Sequence, residues 1–180
     1  DSDAVETAIG VFVSTFNTAI ERLAFYTKYD DATKKSGPLI GDSTALDLRS
    51  SLYRTVQGTG SNISGRYTRL ADVGIKVGTG GALEFDEAKF REKMAEDPDA
   101  VEALFTTRTV EDNTTREVLP GIRVRNTANN QTITSLGPMG ALEELAKSYV
   151  DTVSGTLTNR SKGFDKQVEL QQTRITAMTE

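Results

Sequence analysis

The sequence has 180 residues, a formal net charge of −5, and neither cysteine nor histidine. Disulfides and thiol chemistry are excluded, and the commonest general base and metal ligand is missing, which argues against most enzymes. The acidic balance, without a Lys/Arg cluster, gives no electrostatic support for a nucleic-acid or membrane partner. We therefore expect no cofactor, no metal, no catalytic residue, and a protein that acts through its surfaces.

The N-terminal part of the chain has the apolar spacing of a long helix. Ile9, Phe12, Phe16 and Leu23 follow one another in steps of three, four and seven residues. This spacing predicts a helix over residues 3–29 with one narrow apolar face. We call these four residues the N-terminal seam, a candidate for helix packing or for contact between copies of the chain.

A glycine-containing loop, GPLIGDST, follows this helix within residues 30–105. A phosphate-binding loop needs four residues between its glycines and then a lysine. Here three residues separate Gly37 from Gly41, and Asp42 stands where the lysine should be. We therefore interpret the loop as a turn followed by a helix cap.

Short helices and a hairpin are predicted for the rest of residues 30–105. Asp42 or Ser43 can cap a helix that ends at Gly58, where a left-handed residue is expected. The strand-like runs on either side of GTGG predict a β-hairpin. Asp86 and then Asp97, followed by Pro98, are placed to begin two further helices.

Residues 106–140 have weaker signals. EVLPGIRVRN and QTITSL suggest extended segments joined through NTANN, whereas Pro120 and Gly121 count against a central strand. We expect edge strands or an ordered loop here.

The C-terminal part has a second helical pattern. Phe164, Val168, Ile175 and Met178 keep the spacing of an apolar stripe, which predicts a long helix over residues 141–180. We call these residues the C-terminal seam. The two seams either pack on each other or contact another chain.

The predicted fold is mainly α with a small β part: a long-helix bundle or coiled-coil leg with an inserted β-hairpin and short helices. We expect residues 1–180 to form a single helical leg domain, a fragment of a longer protein.

Two blocks of the sequence resemble a known family. FVSTFNTAIERLAFYTKYDDATKKSGPLIGDSTALDLRSSL and LADVGIKVGTGGALEFDEAKFREKMAEDPDAVEALF are similar, in order and in kind, to the C-terminal region of the flagellar hook-associated protein 2 family, the filament-capping proteins. The family's phrase "T-x-Y-D" corresponds to residues 27–30. Its phrase "G-P-L-x-G-D-S" corresponds to the motif loop, whose residues are Gly37, Pro38, Leu39, Gly41, Asp42 and Ser43.

The resemblance implies an extracellular protein at the tip of the bacterial flagellum, exported by the flagellar type III apparatus. It implies a ring-like homo-oligomer that guides flagellin into the filament without breaking a covalent bond. Flagellin, hook-associated junction proteins and an export chaperone are the implied partners.

Three alternatives are kept. A hook–filament junction protein or a flagellin-like subunit would have similar helical, cysteine-free legs. An intracellular coiled-coil adaptor would also explain the seams, but it should have stronger charge pairing beside them and fewer Gly-rich turns. An enzyme would need a polar pocket and an essential carboxylate, and no spacing in the sequence singles one out.

Overall fold

The computed structural model describes residues 2–112, 115–125 and 131–179. The described helices are α1 (Ser2–Thr27), α2 (Ser43–Gln57), α3 (Glu87–Glu96), α4 (Pro98–Thr106), α5 (Pro138–Val150) and α6 (Thr156–Thr179), with a 3-10 helix at Leu70–Val73. The strands are β1 (Tyr29–Asp30), β2 (Lys35–Ser36), β3 (Ile75–Val77), β4 (Leu83–Phe85), β5 (Arg108–Asp112), β6 (Thr115–Leu119), β7 (Ile122–Arg125) and β8 (Gln131–Leu136). The prediction of a mainly α fold with a small β part is confirmed. The chain divides into two compact units, residues 1–142 and 143–180.

The core of the first unit lies between α1 and the segment from α2 to α4. Ile9, Phe16 and Ile20 come from α1, one to two helical turns apart, so that they share one face. They pack with residues from the later elements: Val56, Tyr67, Leu70, Val73, Ile75, Leu83, Phe90, Val101 and Leu104. Each large side chain that is fully buried here stabilises the fold by about 1.5–3 kcal/mol relative to exposure.

Three aspartates begin the short helices as the sequence predicts. The carboxylates of Asp42, Asp86 and Asp97 each accept a hydrogen bond of 3.0 Å from the backbone N–H three residues later. Asp97 also follows the end of α3: its N–H makes the last helical bond, to the carbonyl of Lys93, but its own backbone is not helical (φ −157°, ψ 83°). Pro98 is in the first turn of α4. One residue therefore closes one helix and opens the next.

The expected left-handed conformation of Gly58 is wrong. Gly58 follows α2 with φ −73° and ψ 167°, which is extended backbone. A Cβ atom built on it would lie 2.9 Å from the carbonyl oxygen of Arg54. Close approach of the backbone to the last turn of α2, rather than a positive φ, is what favours glycine here.

The predicted hairpin is formed by β3 and β4, which pair antiparallel with Ile75 opposite Phe85. The side-chain amide of Asn17, on α1, binds β4, the second strand of the hairpin, through both its nitrogen and its oxygen. Its Nδ2 donates to the carbonyl of Leu83 (2.9 Å), and its Oδ1 accepts from the N–H of Leu83 (2.7 Å). Tyr53 of α2 donates its hydroxyl to the carbonyl of Gly81 in the hairpin turn (2.8 Å). The hairpin is thus fixed to two helices by side-chain hydrogen bonds.

The described residues between 106 and 140 form four strands where the sequence indicated edge strands or an ordered loop. β5 pairs with β8, from Arg108 opposite Leu136, with a register shift after Thr109. β6 and β7 form a second hairpin in which Leu119 is opposite Ile122. Pro120 and Gly121, which count against a single strand, are therefore the turn between two strands. The predicted connection NTANN, residues 126–130, lies outside the described residues.

The long helix predicted over residues 141–180 is interrupted. α5 ends at Val150 and α6 begins at Thr156. The Asp151 carboxylate accepts hydrogen bonds from the N–H groups of Val153 (3.0 Å) and Ser154 (2.6 Å) and from the Ser154 hydroxyl (2.9 Å). The bond from the Ser154 N–H, followed by those from the Ser154 hydroxyl and the Val153 N–H, lowers the pKa of Asp151. This side-chain turn offers the backbone partners that differ from those of a helix and so explains the break.

Candidate functional site

The N-terminal seam belongs largely to the interior of the first unit. Ile9 and Phe16 are buried in its core, and Phe12 packs against that core while partly exposed. Leu23 is half-buried. Burial leaves Ile9 and Phe16 inaccessible to a partner, so only the partly exposed members of this seam could contribute to an outer contact.

The C-terminal seam is open. Phe164, Val168, Ile175 and Met178 are 49% to 86% exposed, and α6 has no buried residue. Four large apolar side chains on one stripe of a 24-residue helix are unusual for a surface without a partner. Their role in packing or oligomer contact stays a prediction.

The motif loop folds back against the end of α1. The N–H of Gly37 donates to the carbonyl of Lys28, and that of Leu39 donates to the carbonyl of Tyr26, both at 2.9 Å. A Cβ atom on Gly37 would lie 2.3 Å from the Tyr26 carbonyl oxygen. Glycine is therefore required at this position by the closeness of two backbones.

The acidic end of the motif loop has a structural role. Gly41 has φ +75°, a left-handed conformation that glycine adopts without strain, and it turns the chain into α2. Asp42 caps this helix and Ser43 is its first residue, with Pro38 and Leu39 in the preceding turn. The interpretation of the loop as a turn followed by a cap agrees with this geometry.

Aromatic residues lie beside the motif loop, and one of them, Phe25, was missed by the sequence reasoning. Phe25, Tyr26 and Tyr29 are exposed at the end of α1, and Ile40 is exposed in the loop. Phe25 is 66% exposed and its ring meets that of Tyr26 edge-to-face at 5.4 Å between centroids. The sequence did contain a signal for this surface: Phe25 is an aromatic residue that lies outside the heptad spacing of the first helix.

Two groups of charges connect distant elements of the first unit. Glu6, only 9% exposed, accepts hydrogen bonds from Arg91 Nε (2.9 Å) and Nη2 (2.6 Å), joining α1 to α3. This hydrogen bonding and charge pairing raise the pKa of Arg91. The pair satisfies a buried carboxylate that would otherwise be costly.

The second group surrounds Glu96 at the end of α3. Glu96 accepts hydrogen bonds from Lys93 Nζ (2.9 Å) and the Tyr67 hydroxyl (3.1 Å), and it pairs with Arg66. The hydrogen bonds from Lys93 and then Tyr67 lower the pKa of Glu96, whereas burial and then Glu96 raise the pKa of Tyr67. These contacts attach the segment before the 3-10 helix to α3.

Within residues 2–112, 115–125 and 131–179, no cluster of three or more His, Cys, Asp or Glu side chains could hold a metal ion. No described helix is both long enough and apolar enough to cross a membrane. The described residues of the first unit have a packed core and exposed apolar side chains beside the motif loop, and those of the second unit have exposed apolar side chains on α6. These features define a mainly helical protein with apolar surface available for contacts.

Comparison with known proteins identifies the family. Residues 1–180 match the family model described as the C-terminus of flagellar hook-associated protein 2. The chain therefore belongs to the flagellar hook-associated protein 2 family, as the resemblance of the two sequence blocks predicted.

Relatives from several bacteria support this membership. The chain is 30% identical to flagellar hook-associated protein 2 of Campylobacter jejuni over 133 residues, covering 66% of the chain and 21% of that protein. It is 24% identical to the protein of the same name from Salmonella typhimurium over 173 residues, covering 91% of the chain and 33% of that protein. The chain thus spans a third or less of the length of these relatives.

A solved structure has the same fold. The chain superposes on the crystal structure of the flagellar cap protein FliD D1-D2-D3 domains from Escherichia coli with a TM-score of 0.63 and 25% sequence identity. The match covers 91% of this chain and 37% of that protein.

Proposed function

We propose that the protein containing this chain is a filament cap, which sits at the tip of the flagellum, promotes flagellin polymerisation and prevents the loss of flagellin monomers. The observation that carries the proposal is the family match over residues 1–180, together with the fold shared with a flagellar cap protein. In this role the protein is not an enzyme, because it assembles subunits without covalent chemistry.

The partners we propose are further copies of the protein in a ring, flagellin and the hook-associated junction proteins, with a chaperone during type III export. Residues 1–180 would form a helical leg of the full-length protein. The open C-terminal seam supports this reading, because a protein that works inside an assembly needs apolar surface to contribute to its contacts.

The experiment that tests the proposal begins with deletion of the parent gene in its host. Filaments are counted by electron microscopy and flagellin in the medium is measured by immunoblot, with the restored wild-type gene as control. We expect filaments to be lost and flagellin to be released as monomer, because export continues while polymerisation fails. Normal filaments would contradict the proposal and favour an intracellular adaptor.

Immunogold labelling of the wild-type flagellum separates the remaining alternatives. A cap places the label at the distal tip. Label at the boundary between hook and filament would identify a junction protein, and label along the filament would identify a flagellin-like subunit.

A further inference from the structure

A cavity of about 530 Å³ lies beside the motif loop, at the end of α1. It falls within the size range of ligand sites and has room for a few side chains of a peptide. It is lined by Phe25, Lys28, Asp30, Thr33, Lys35, Ser36, Gly37 and Pro38. None of these residues belongs to the hydrophobic core.

The cavity is built into the backbone. Residues of the paired strands β1 and β2 line the cavity, with Tyr29 opposite Ser36 and Asp30 opposite Lys35 in the antiparallel pair. The bond from the Gly37 N–H to the Lys28 carbonyl continues this pairing, and the close approach of Gly37 to Tyr26 leaves no room for a side chain. A partner would therefore meet a site that is already formed, which reduces the ordering cost of binding.

Charge at the cavity favours an anionic partner. The Asp30 carboxylate accepts hydrogen bonds from Ala32 N (2.9 Å), Thr33 N (3.4 Å) and Thr33 Oγ1 (2.7 Å), so its lone pairs are engaged within the turn. These bonds, that of the Thr33 hydroxyl first, lower the pKa of Asp30. Lys28 and Lys35 are exposed, and among the described residues neither forms an ion pair. The Asp30 carboxylate keeps its charge and is also attracted by Lys28, which contributes to the lowering of its pKa. The lining therefore has two ammonium groups and one carboxylate, and its balance is positive.

The apolar part of the cavity is formed by Phe25 and Pro38. The exposure of Phe25 leaves an aromatic surface that a second aromatic or aliphatic side chain can cover. A segment with an apolar residue beside a carboxylate would satisfy both parts of the cavity at once.

We propose that this cavity is a docking site for an acidic segment of another protein. The segment inserts an aromatic or long aliphatic side chain against Phe25 and Pro38 and places a carboxylate on Lys28 or Lys35. The proposal is independent of the filament-cap role, because it depends only on the shape and charge of residues 25–38.

Peptide selection tests this proposal on the full-length protein that contains the chain. A phage library of random twelve-residue peptides is selected on the wild-type protein and counter-selected on the Lys28→Glu/Lys35→Glu variant. We expect enrichment of peptides in which Asp or Glu flanks Phe, Tyr, Leu or Ile. No enrichment, or enrichment without acidic residues, would overturn the proposal.

The most enriched peptide is then synthesised with a fluorescent label, and its affinity is measured by anisotropy. Lys28→Glu/Lys35→Glu and Phe25→Ala should each weaken binding about tenfold or more, the first through charge and the second through lost contact. The single variants Lys35→Glu and Lys34→Glu form a matched pair, because each reverses one charge at a neighbouring position and only Lys35 lines the cavity. Lys34→Glu should weaken binding by less than about twofold, and Lys35→Glu should weaken it by clearly more. Equal weakening by Lys34→Glu and Lys35→Glu would refute a defined site.

Two further measurements complete the test. Circular dichroism should be the same for all variants, since the substituted side chains are exposed. Sedimentation should give the same mass for wild type and Lys28→Glu/Lys35→Glu. A loss of self-association in that variant would overturn the proposal in favour of a second copy as the occupant. If these binding experiments contradict the docking site, the gene-deletion test of the cap role still stands, because it measures filaments and released flagellin and not peptide binding.

Discussion

The amide of Asn17 is the contact whose removal we expect to be most damaging among partly exposed side chains of α1. In Asn17→Ala, the N–H and carbonyl of Leu83 lose both partners at a residue that is only 4% exposed. Leaving a buried donor or acceptor without its partner costs about 1–3 kcal/mol, so the two groups of Leu83 together cost about 2–6 kcal/mol. Alanine's better helix propensity offsets about 0.5 kcal/mol. We therefore expect a loss of about 1.5–5.5 kcal/mol in the free energy of unfolding.

Urea denaturation followed by circular dichroism measures this loss. With a slope of about 2 kcal/mol per molar urea, the midpoint should fall by about 1–3 M. Thr15→Ala is the matched control, because Thr15 lies on the same helix but is exposed, and its midpoint should be unchanged or slightly higher. A loss below about 1 kcal/mol in Asn17→Ala would refute the argument, since water would then be satisfying Leu83.

Three further predictions concern charges and the C-terminal seam. Arg91→Ala should lower the urea midpoint more than Glu6→Gln, because the first leaves a buried carboxylate unpaired and the second leaves only an exposed guanidinium; the reverse order would contradict the pairing. Val168→Gln should leave the urea midpoint unchanged, since Val168 is 69% exposed, but it should weaken any self-association seen by sedimentation; a large fall in the midpoint would show that the seam is internal. The pKa of Glu96 is lowered, so its stabilisation is present above the ordinary value of 4.5 and is lost as pH falls through the folded pKa. The midpoint difference between wild type and Glu96→Gln should therefore shrink below pH 4.5, and a constant difference would exclude this linkage.

Local signals in the sequence predicted the helix starts well. Asp42, Asp86 and Asp97 cap helices because a carboxylate meets an N–H only three residues away, and this interaction does not depend on the rest of the fold. Pro98 at the start of α4 is local in the same sense. Such contacts can be identified from a short window of sequence.

Contacts between distant residues were not predictable in this way. The partner of Asn17 is 66 residues away, and Arg108 of β5 pairs with Leu136 of β8. No repeat of apolar residues within residues 106–140 specifies the register of β5 with β8. Pro120 and Gly121 made the β6–β7 hairpin look like a single interrupted strand in the sequence. The candidate site was seen in part: the motif loop was recognised by its residues, whereas the cavity beside it depends on Phe25 and Lys28 meeting β2 in space.

The contact of Asn17 with Leu83 also has a consequence for how the first unit folds. The partners of α1 in the core come from α2 and, for the most part, from residues 67–104, so its apolar face remains uncovered until that later segment is present. Closing a flexible loop of 66 residues costs about 4 kcal/mol of chain entropy, which must be recovered by contacts that form together. During synthesis α1 can therefore meet α2 first, and the rest of its apolar face within this unit is covered only when residues 67–104 have been made. We expect completion of this unit to be a late step, and the interval before it is when aggregation or capture by another protein can compete.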